Sequence, residues 1–204
     1  MGGHGVGARR KVEGLSTSSA TFGPSALATP ANAVTIARLA LAPILVATIV
    51  DRGPSWVTLA LWFLLAVTDG VDGWVARRQG ATRSGAFLDP LADKVLVLGA
   101  MFALVGRGRF WLAPVVLLAS REVGVSAYRA WAGQRGVSIP ARWGAKLKTV
   151  VEDLAVGFAV MPATADHRLV ATTVLWVSVL LALWTGGQYL ADARTMAGAD
   201  IRAV

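Results

Sequence analysis

The sequence predicts an all-α integral membrane protein. The expected form is a six-transmembrane-helix bundle behind a disordered N-terminal tail, with both termini cytoplasmic. Three observations predict it. Hydrophobic residues make up 55% of the 204-residue chain, and mean hydropathy is +0.57. Charged residues are only 16%, against roughly 25% in an ordinary soluble domain. The apolar residues gather in stretches long enough to cross a hydrocarbon layer at about 1.5 Å per helical residue. The length fits one domain. With no cysteine, a disulfide framework and a thiolate metal centre are excluded. The net charge of +8 would suggest nucleic acid in a soluble chain. Here it marks cytoplasmic loops and anionic head groups, and no nucleic-acid partner is expected.

Residues 1–29 are rich in Gly, Ser, Thr and Ala, with no apolar period; they read as a disordered tail. Arg9, Arg10 and Lys11 cluster there without an apolar stretch behind them, so the tail is no secretory signal. His4 reads as a solvated residue. A membrane domain follows over 30–194, then a C-terminal tail over 195–204. The expected spans are about 32–51, 55–78, 86–106, 109–133, 144–163 and 168–192. The stretch 169–191 carries no charge over 23 residues, which alone satisfies the length rule for a span. Pro43 and Pro114 fall inside expected helices as kinks; Pro90 falls near a helix start, where a missing N–H matters little.

Loop charges set the orientation. Asp51 and Arg52 cancel in the first loop. The second carries Arg77, Arg78 and Arg83; the fourth carries Arg129, Arg135, Arg142, Lys146 and Lys148. The third has Arg107 and Arg109, the fifth Asp166 and Arg168. The two richest loops share a side with both termini, so that side is cytoplasmic by the positive-inside rule. Trp56, Trp111 and Trp143 fall at helix ends as interfacial anchors.

Four aspartates arrive within 25 residues: Asp69, Asp72, Asp89 and Asp93. The first pair is spaced i,i+3 and the second i,i+4, so each pair shares one helix face. The short connection at about 78–85 makes the two helices antiparallel neighbours and brings both pairs to one cytoplasmic end. Four converging carboxylates need a cation, and an all-oxygen donor set selects Mg²⁺, Mn²⁺ or Ca²⁺. Such a site suits phosphate chemistry. Gly70, Gly73 and Ala76 leave room beside the carboxylates for a helix or flat ligand. Ordinary helix-end charges explain one aspartate better than four at paired spacing.

The stretch from Asp69 to Asp93 resembles the signature of the CDP-alcohol phosphatidyltransferase family, D-x2-D-G-x2-A-R-x8–9-G-x3-D-x3-D. Asp69, Asp72, Gly73, Ala76, Arg77, Gly85, Asp89 and Asp93 carry it. Seven residues separate Arg77 from Gly85, one fewer than the pattern. The resemblance implies that the four aspartates bind two Mg²⁺ or Mn²⁺ ions gripping the pyrophosphate of a CDP-activated lipid. It implies that Asp93 is also the general base for the acceptor hydroxyl. Gly73 and Ala76 would admit the cytidine, with Arg77 near its phosphates and Gly85 in the same site. "TPANAVTIARLALAP" is similar to the family's opening segment. Its Asn32, Thr35 and Arg38 share a face and read either as a polar helix start or as part of the nucleotide site. A homodimer in the cell membrane is implied by the resemblance alone.

The family's acceptors include glycerol 3-phosphate, inositol phosphate, serine, phosphatidylglycerol and choline. A phosphorylated acceptor needs cations, and the second half supplies them on the aspartate side. Arg121 follows a charge-free run of 11 residues, with Glu122 beside it; at that depth an arginine faces a cavity. Arg121, Glu122, Ser126, Arg129, Gly144, Lys146, Lys148 and Thr149 resemble a pattern of the bacterial phosphatidylglycerophosphate synthase branch, as does "LWTGGQYLADAR" with Arg194. Arg121, Lys146, Lys148 and Arg194 are the expected acceptor-phosphate residues. One departure is Glu152–Asp153, where a neutral polar residue is expected; Glu152 either pairs with a lysine or lines the cavity. The implied substrates are CDP-diacylglycerol and glycerol 3-phosphate, with inositol phosphate or phosphatidylglycerol (giving cardiolipin) as alternatives. Two other classes compete. A divalent-cation transporter needs carboxylates along a path at midplane, and these crowd one end. A non-catalytic scaffold predicts no metal dependence.

Overall fold

The computed structural model describes residues 30–79, 85–134 and 143–201, with side chains over 33–68, 91–134 and 143–188. Six helices make it up: α1 Pro30–Arg52, α2 Trp56–Gln79, α3 Gly85–Gly106, α4 Leu112–Gln134, α5 Trp143–Val160 and α6 Arg168–Ile201. One 3-10 turn lies at Pro162–Thr164, and no strand occurs among the described residues. The tail over 1–29 lies outside them. The all-helical expectation holds, and helix bounds follow the sequence closely where local signals mark the ends.

Those signals are identifiable. Past α1, Gly53 takes φ +65°, and its N–H reaches the Ile49 carbonyl at 3.0 Å, a left-handed cap. Ser55 then caps α2, its Oγ accepting from the Thr58 N–H at 3.1 Å. The buried Thr58 hydroxyl donates to the Gly53 carbonyl at 2.9 Å. Gly53→Ala forces a side chain into the left-handed region, which costs about 1–2 kcal/mol. Its Cβ would also lie 2.7 Å from the flexible end of Arg107. Thermal unfolding in detergent should show the loss.

α3 closes on a Schellman pair. The Arg109 N–H bonds the Leu104 carbonyl at 2.8 Å, and the Gly108 N–H bonds the Val105 carbonyl at 2.9 Å; Gly108 sits at φ +66°. This turn consumes residues 107–111, so α4 begins at Leu112, not at 109 as expected. Pro114 thereby falls in the first turn, where no intrahelical N–H bond is lost. The expected kink there has no cause; Pro43 does stand within the body of α1. Pro162 sets α5's end at Val160 rather than 163, and the chain passes into the 3-10 turn. α6 runs past the expected end at 192 to Ile201, because Ala191, Ala193, Arg194, Met196 and Ala197 favour helix and no proline interrupts them. The loop ends are tied across the bundle: Arg109 Nη1 donates to the Ala165 carbonyl at 2.7 Å, and the Ser55 N–H to the Val160 carbonyl at 3.1 Å.

Among the described residues, the main packings are α5 on α6 and α1 on α3, followed by α1 on α2, α4 on α6 and α3 on α4. α5 also touches α2 and α3. α2 and α3, joined by the short connection over 80–84, both pack against α1 and against α5. Trp62 of α2 anchors one such contact, its indole N–H donating to the Asp153 carbonyl of α5 at 3.2 Å. Leu45, Ile49, Leu65, Met101, Leu104, Leu118, Val156 and Leu175 fill the core.

The surface is apolar and part of the interior is charged. Phe63, Leu64, Leu180, Leu183 and Trp184 are exposed, while Arg38, Lys148 and Glu152 are buried. That is the distribution expected when lipid is the surrounding solvent. Trp56, Trp111 and Trp143 stand exposed at or beside helix starts. Among the described residues, Ala33–Arg52 and Arg168–Gln188 are long and apolar enough to cross a membrane by length and composition.

Candidate active site

The backbone puts both aspartate pairs on helices at the anticipated spacing. Asp69 and Asp72 lie in the second half of α2, and Asp89 and Asp93 in the first turns of α3. The connection between these helices covers only 80–84. The side chains of Asp69, Asp72 and Asp89 lie outside the described residues, as do those of Asn32, Ala76, Arg77 and Arg194, and the surroundings of Gly73 and Gly85. Among the described residues no group of three or more potential metal ligands occurs. The donor set nevertheless fits a hard divalent cation: four carboxylates in two face-sharing pairs at the joined ends of two helices.

Asp93 is half-buried and lines a pocket with Lys94 of α3, Glu122 of α4, and Lys148, Thr149 and Glu152 of α5. Val97 and Leu98 supply its apolar wall. Three helices thus bring acidic and basic groups to the end of the bundle where α3 starts. Thr35 and Arg38 are both buried on the inward face of α1, one turn apart as their i,i+3 spacing requires.

The cations expected to serve an acceptor phosphate divide. Lys148 is 2% exposed. Its ammonium donates to Glu122 Oε1 at 2.7 Å and to Glu152 Oε2 at 2.6 Å. Arg121 joins the same group, Nη1 meeting Glu122 Oε1 at 2.6 Å. Its other two donors reach α6: Nη2 bonds Thr185 Oγ1 at 2.8 Å, and Nε bonds the Ala182 carbonyl at 3.3 Å. Lys146 is exposed and does not reach this group. Two residues from Lys148 on one helix, it turns about 200° away. Arg129 is exposed as well. Glu152 does both things the sequence allowed, pairing with a lysine and lining the cavity.

Two cations and two carboxylates therefore form one chain, half-buried at Arg121 and Glu122 and buried at Lys148 and Glu152. Burying charge is tolerable only when it is paired and hydrogen-bonded, and here every member has at least one charged partner within 2.7 Å. Thr185 completes the support and was not singled out from the sequence. Its hydroxyl bonds the Leu181 carbonyl at 2.8 Å, which leaves a lone pair for Arg121. A polar residue within the longest charge-free stretch was the available signal. Gly144 lets α5 approach that point; a Cβ there would lie 2.8 Å from Thr185 Cγ2. Lys94 was also passed over, although it adjoins Asp93 in sequence.

Comparison with known proteins places the chain among relatives. The family model described as CDP-alcohol phosphatidyltransferase matches residues 28–184. A protein of Mycobacterium tuberculosis named "Probable phosphatidylglycerophosphate synthase" is 37% identical over 179 residues, covering 84% of each chain. The "CDP-diacylglycerol--glycerol-3-phosphate 3-phosphatidyltransferase" of Haemophilus influenzae is 34% identical over 169 residues, covering 79% of this chain and 91% of its own. A protein of the same name from Shigella flexneri is 36% identical over 139 residues, covering 66% of this chain and 76% of its own. The match runs from before α1 into α6 and takes in every helix of the bundle, so the chain belongs to the CDP-alcohol phosphatidyltransferase family.

Proposed function

We propose that this protein transfers a phosphatidyl group from CDP-diacylglycerol to glycerol 3-phosphate, releasing CMP and forming phosphatidylglycerophosphate. The observation that carries the acceptor assignment is the meeting of half-buried Arg121 and buried Lys148 beside the pocket that Asp93 lines. Its relatives' names point the same way. The acceptor hydroxyl forms a bond to the β-phosphorus, the bond from that phosphorus to CMP breaks, and Asp93 takes the hydroxyl proton. Arg121 and Lys148 hold the acceptor's phosphate, so attack becomes effectively intramolecular. Asp69, Asp72, Asp89 and Asp93 would hold two Mg²⁺ or Mn²⁺ ions, whose charge stabilises the attacking and leaving oxygens when bound. Arg77, with Gly73, Ala76 and Gly85, borders the CDP moiety, and Asn32, Thr35 and Arg38 approach it from α1.

The protein reads as a multi-pass cell-membrane enzyme of six spans, a homodimer, with termini and active site facing the cytoplasm. The expected loop charges and the apolar exterior support this placement. The test is purified protein in detergent with CDP-diacylglycerol and a panel of labelled acceptors. CMP release should require glycerol 3-phosphate and Mg²⁺ or Mn²⁺, and EDTA should stop it. Release driven equally by inositol phosphate or phosphatidylglycerol moves the assignment to another acceptor. Metal-independent binding without CMP release makes the protein a scaffold.

The Gly144 contact gives a narrower expectation. Gly144→Ala forces Thr185 aside and withdraws one hydrogen bond from the Arg121 guanidinium. A bond to a charged group is worth about 1.5–3 kcal/mol, so KM for glycerol 3-phosphate should rise about tenfold or more. KM for CDP-diacylglycerol should change far less, and steady-state kinetics with each substrate varied in turn checks the split.

A further inference from the structure

The Lys148 ammonium is shared by two carboxylates, and one carboxylate oxygen is left over. Glu152 gives Oε2 to Lys148 at 2.6 Å, while its buried Oε1 has no hydrogen-bond partner among the described residues. The residue is 5% exposed and lines the pocket with Asp93. A buried acceptor left unsatisfied is costly, and its complement is a donor brought by a ligand. The ligand's phosphate cannot be that donor, because a phosphate oxygen and a carboxylate oxygen are both acceptors. A hydroxyl can.

Building on the phosphatidylglycerophosphate synthase reading, we propose that Glu152 Oε1 accepts a hydrogen bond from the acceptor hydroxyl that is not attacked. Glycerol 3-phosphate carries two adjacent hydroxyls. One goes to Asp93 and reacts; its neighbour goes to Glu152, from the same pocket. Arg121 and Lys148 recognise the phosphate, which every phosphorylated acceptor carries, so they do not tell one such acceptor from another. A hydroxyl contact supplies selection: a site built to hydrogen-bond an O–H rejects the analogue that lacks it. Glu152 is thus a specificity residue for polyol phosphates.

The test compares glycerol 3-phosphate with 3-hydroxypropyl phosphate, which keeps the phosphate and the reacting hydroxyl but lacks the middle one. The wild-type enzyme should favour glycerol 3-phosphate in kcat/KM by about ten- to a hundredfold. Glu152→Leu should bring it to near one. Because both substrates share the phosphate, a purely structural disturbance of Lys148 lowers both rates and leaves the ratio unchanged. If the leucine variant does not accumulate, Glu152→Asp keeps the charge, withdraws the oxygen and should lower the ratio. A wild-type ratio near one, or an unchanged ratio in Glu152→Leu or Glu152→Asp, overturns the proposal while glycerol 3-phosphate activity stands. If neither compound supports CMP release and another acceptor does, the functional reading falls and takes this proposal with it.

Discussion

Asp93→Asn is expected to lower kcat for CMP release by about 10²–10⁴-fold, the range that general-base catalysis contributes. The substitution is nearly isosteric and removes the basic oxygen's charge, so the helix and its packing remain. Asp93 is half-buried and shares its pocket with Lys148 and Glu152, which puts its carboxylate beside the groups proposed to hold the acceptor. Binding of the CDP-lipid should weaken less than turnover, since three further aspartates remain in the motif. Asp69→Asn, Asp72→Asn and Asp89→Asn should also abolish most activity, through lost metal affinity. Raised Mg²⁺ or Mn²⁺ should recover part of that loss, and none of the Asp93→Asn loss in kcat. Near-normal turnover of Asp93→Asn at saturating substrate and metal removes it from the role of base.

Arg121→Ala should raise KM for glycerol 3-phosphate about 30-fold or more, the effect of truncating a buried charge-assisted contact worth roughly 2–5 kcal/mol. Arg121 is a cleaner probe than Lys148. Its guanidinium is anchored mainly to α6, through Thr185 and the Ala182 carbonyl, and Glu122 keeps Lys148 when it is lost. Lys148→Ala instead leaves Glu122 and Glu152 facing one buried space without their shared cation. Breaking a buried pair in this way costs about 3–5 kcal/mol, so that variant should lose stability before kinetics can be read. Steady-state kinetics with each substrate varied in turn, beside thermal unfolding of both variants, separates the two outcomes. If Arg121→Ala weakens CDP-diacylglycerol and glycerol 3-phosphate equally, Arg121 shapes the bundle and does not hold the acceptor.

The sequence by itself determined the features that depend on neighbours along the chain. Six apolar stretches became six helices, their ends falling at Gly53, Ser55, Gly108 and Pro162 because capping and proline stops are local. The placement of Asp69 with Asp72 and Asp89 with Asp93 on two helices, and the single face shared by Thr35 and Arg38, follow from helical periodicity alone. What the tertiary structure decided lies between helices. Lys146 and Lys148 are chemically alike and two residues apart, yet only packing against α4 and α6 makes one a buried partner of Glu122 and the other a surface charge. Glu122 and Lys148 are 26 residues apart, and Arg121 and Thr185 are 64; no periodicity spans such separations. The i,i+4 spacing of Lys148 and Glu152 allowed their pairing. Only the shared pocket revealed that one Glu152 oxygen is left to accept a hydrogen bond, because satisfaction of a buried group depends on every element packed around it.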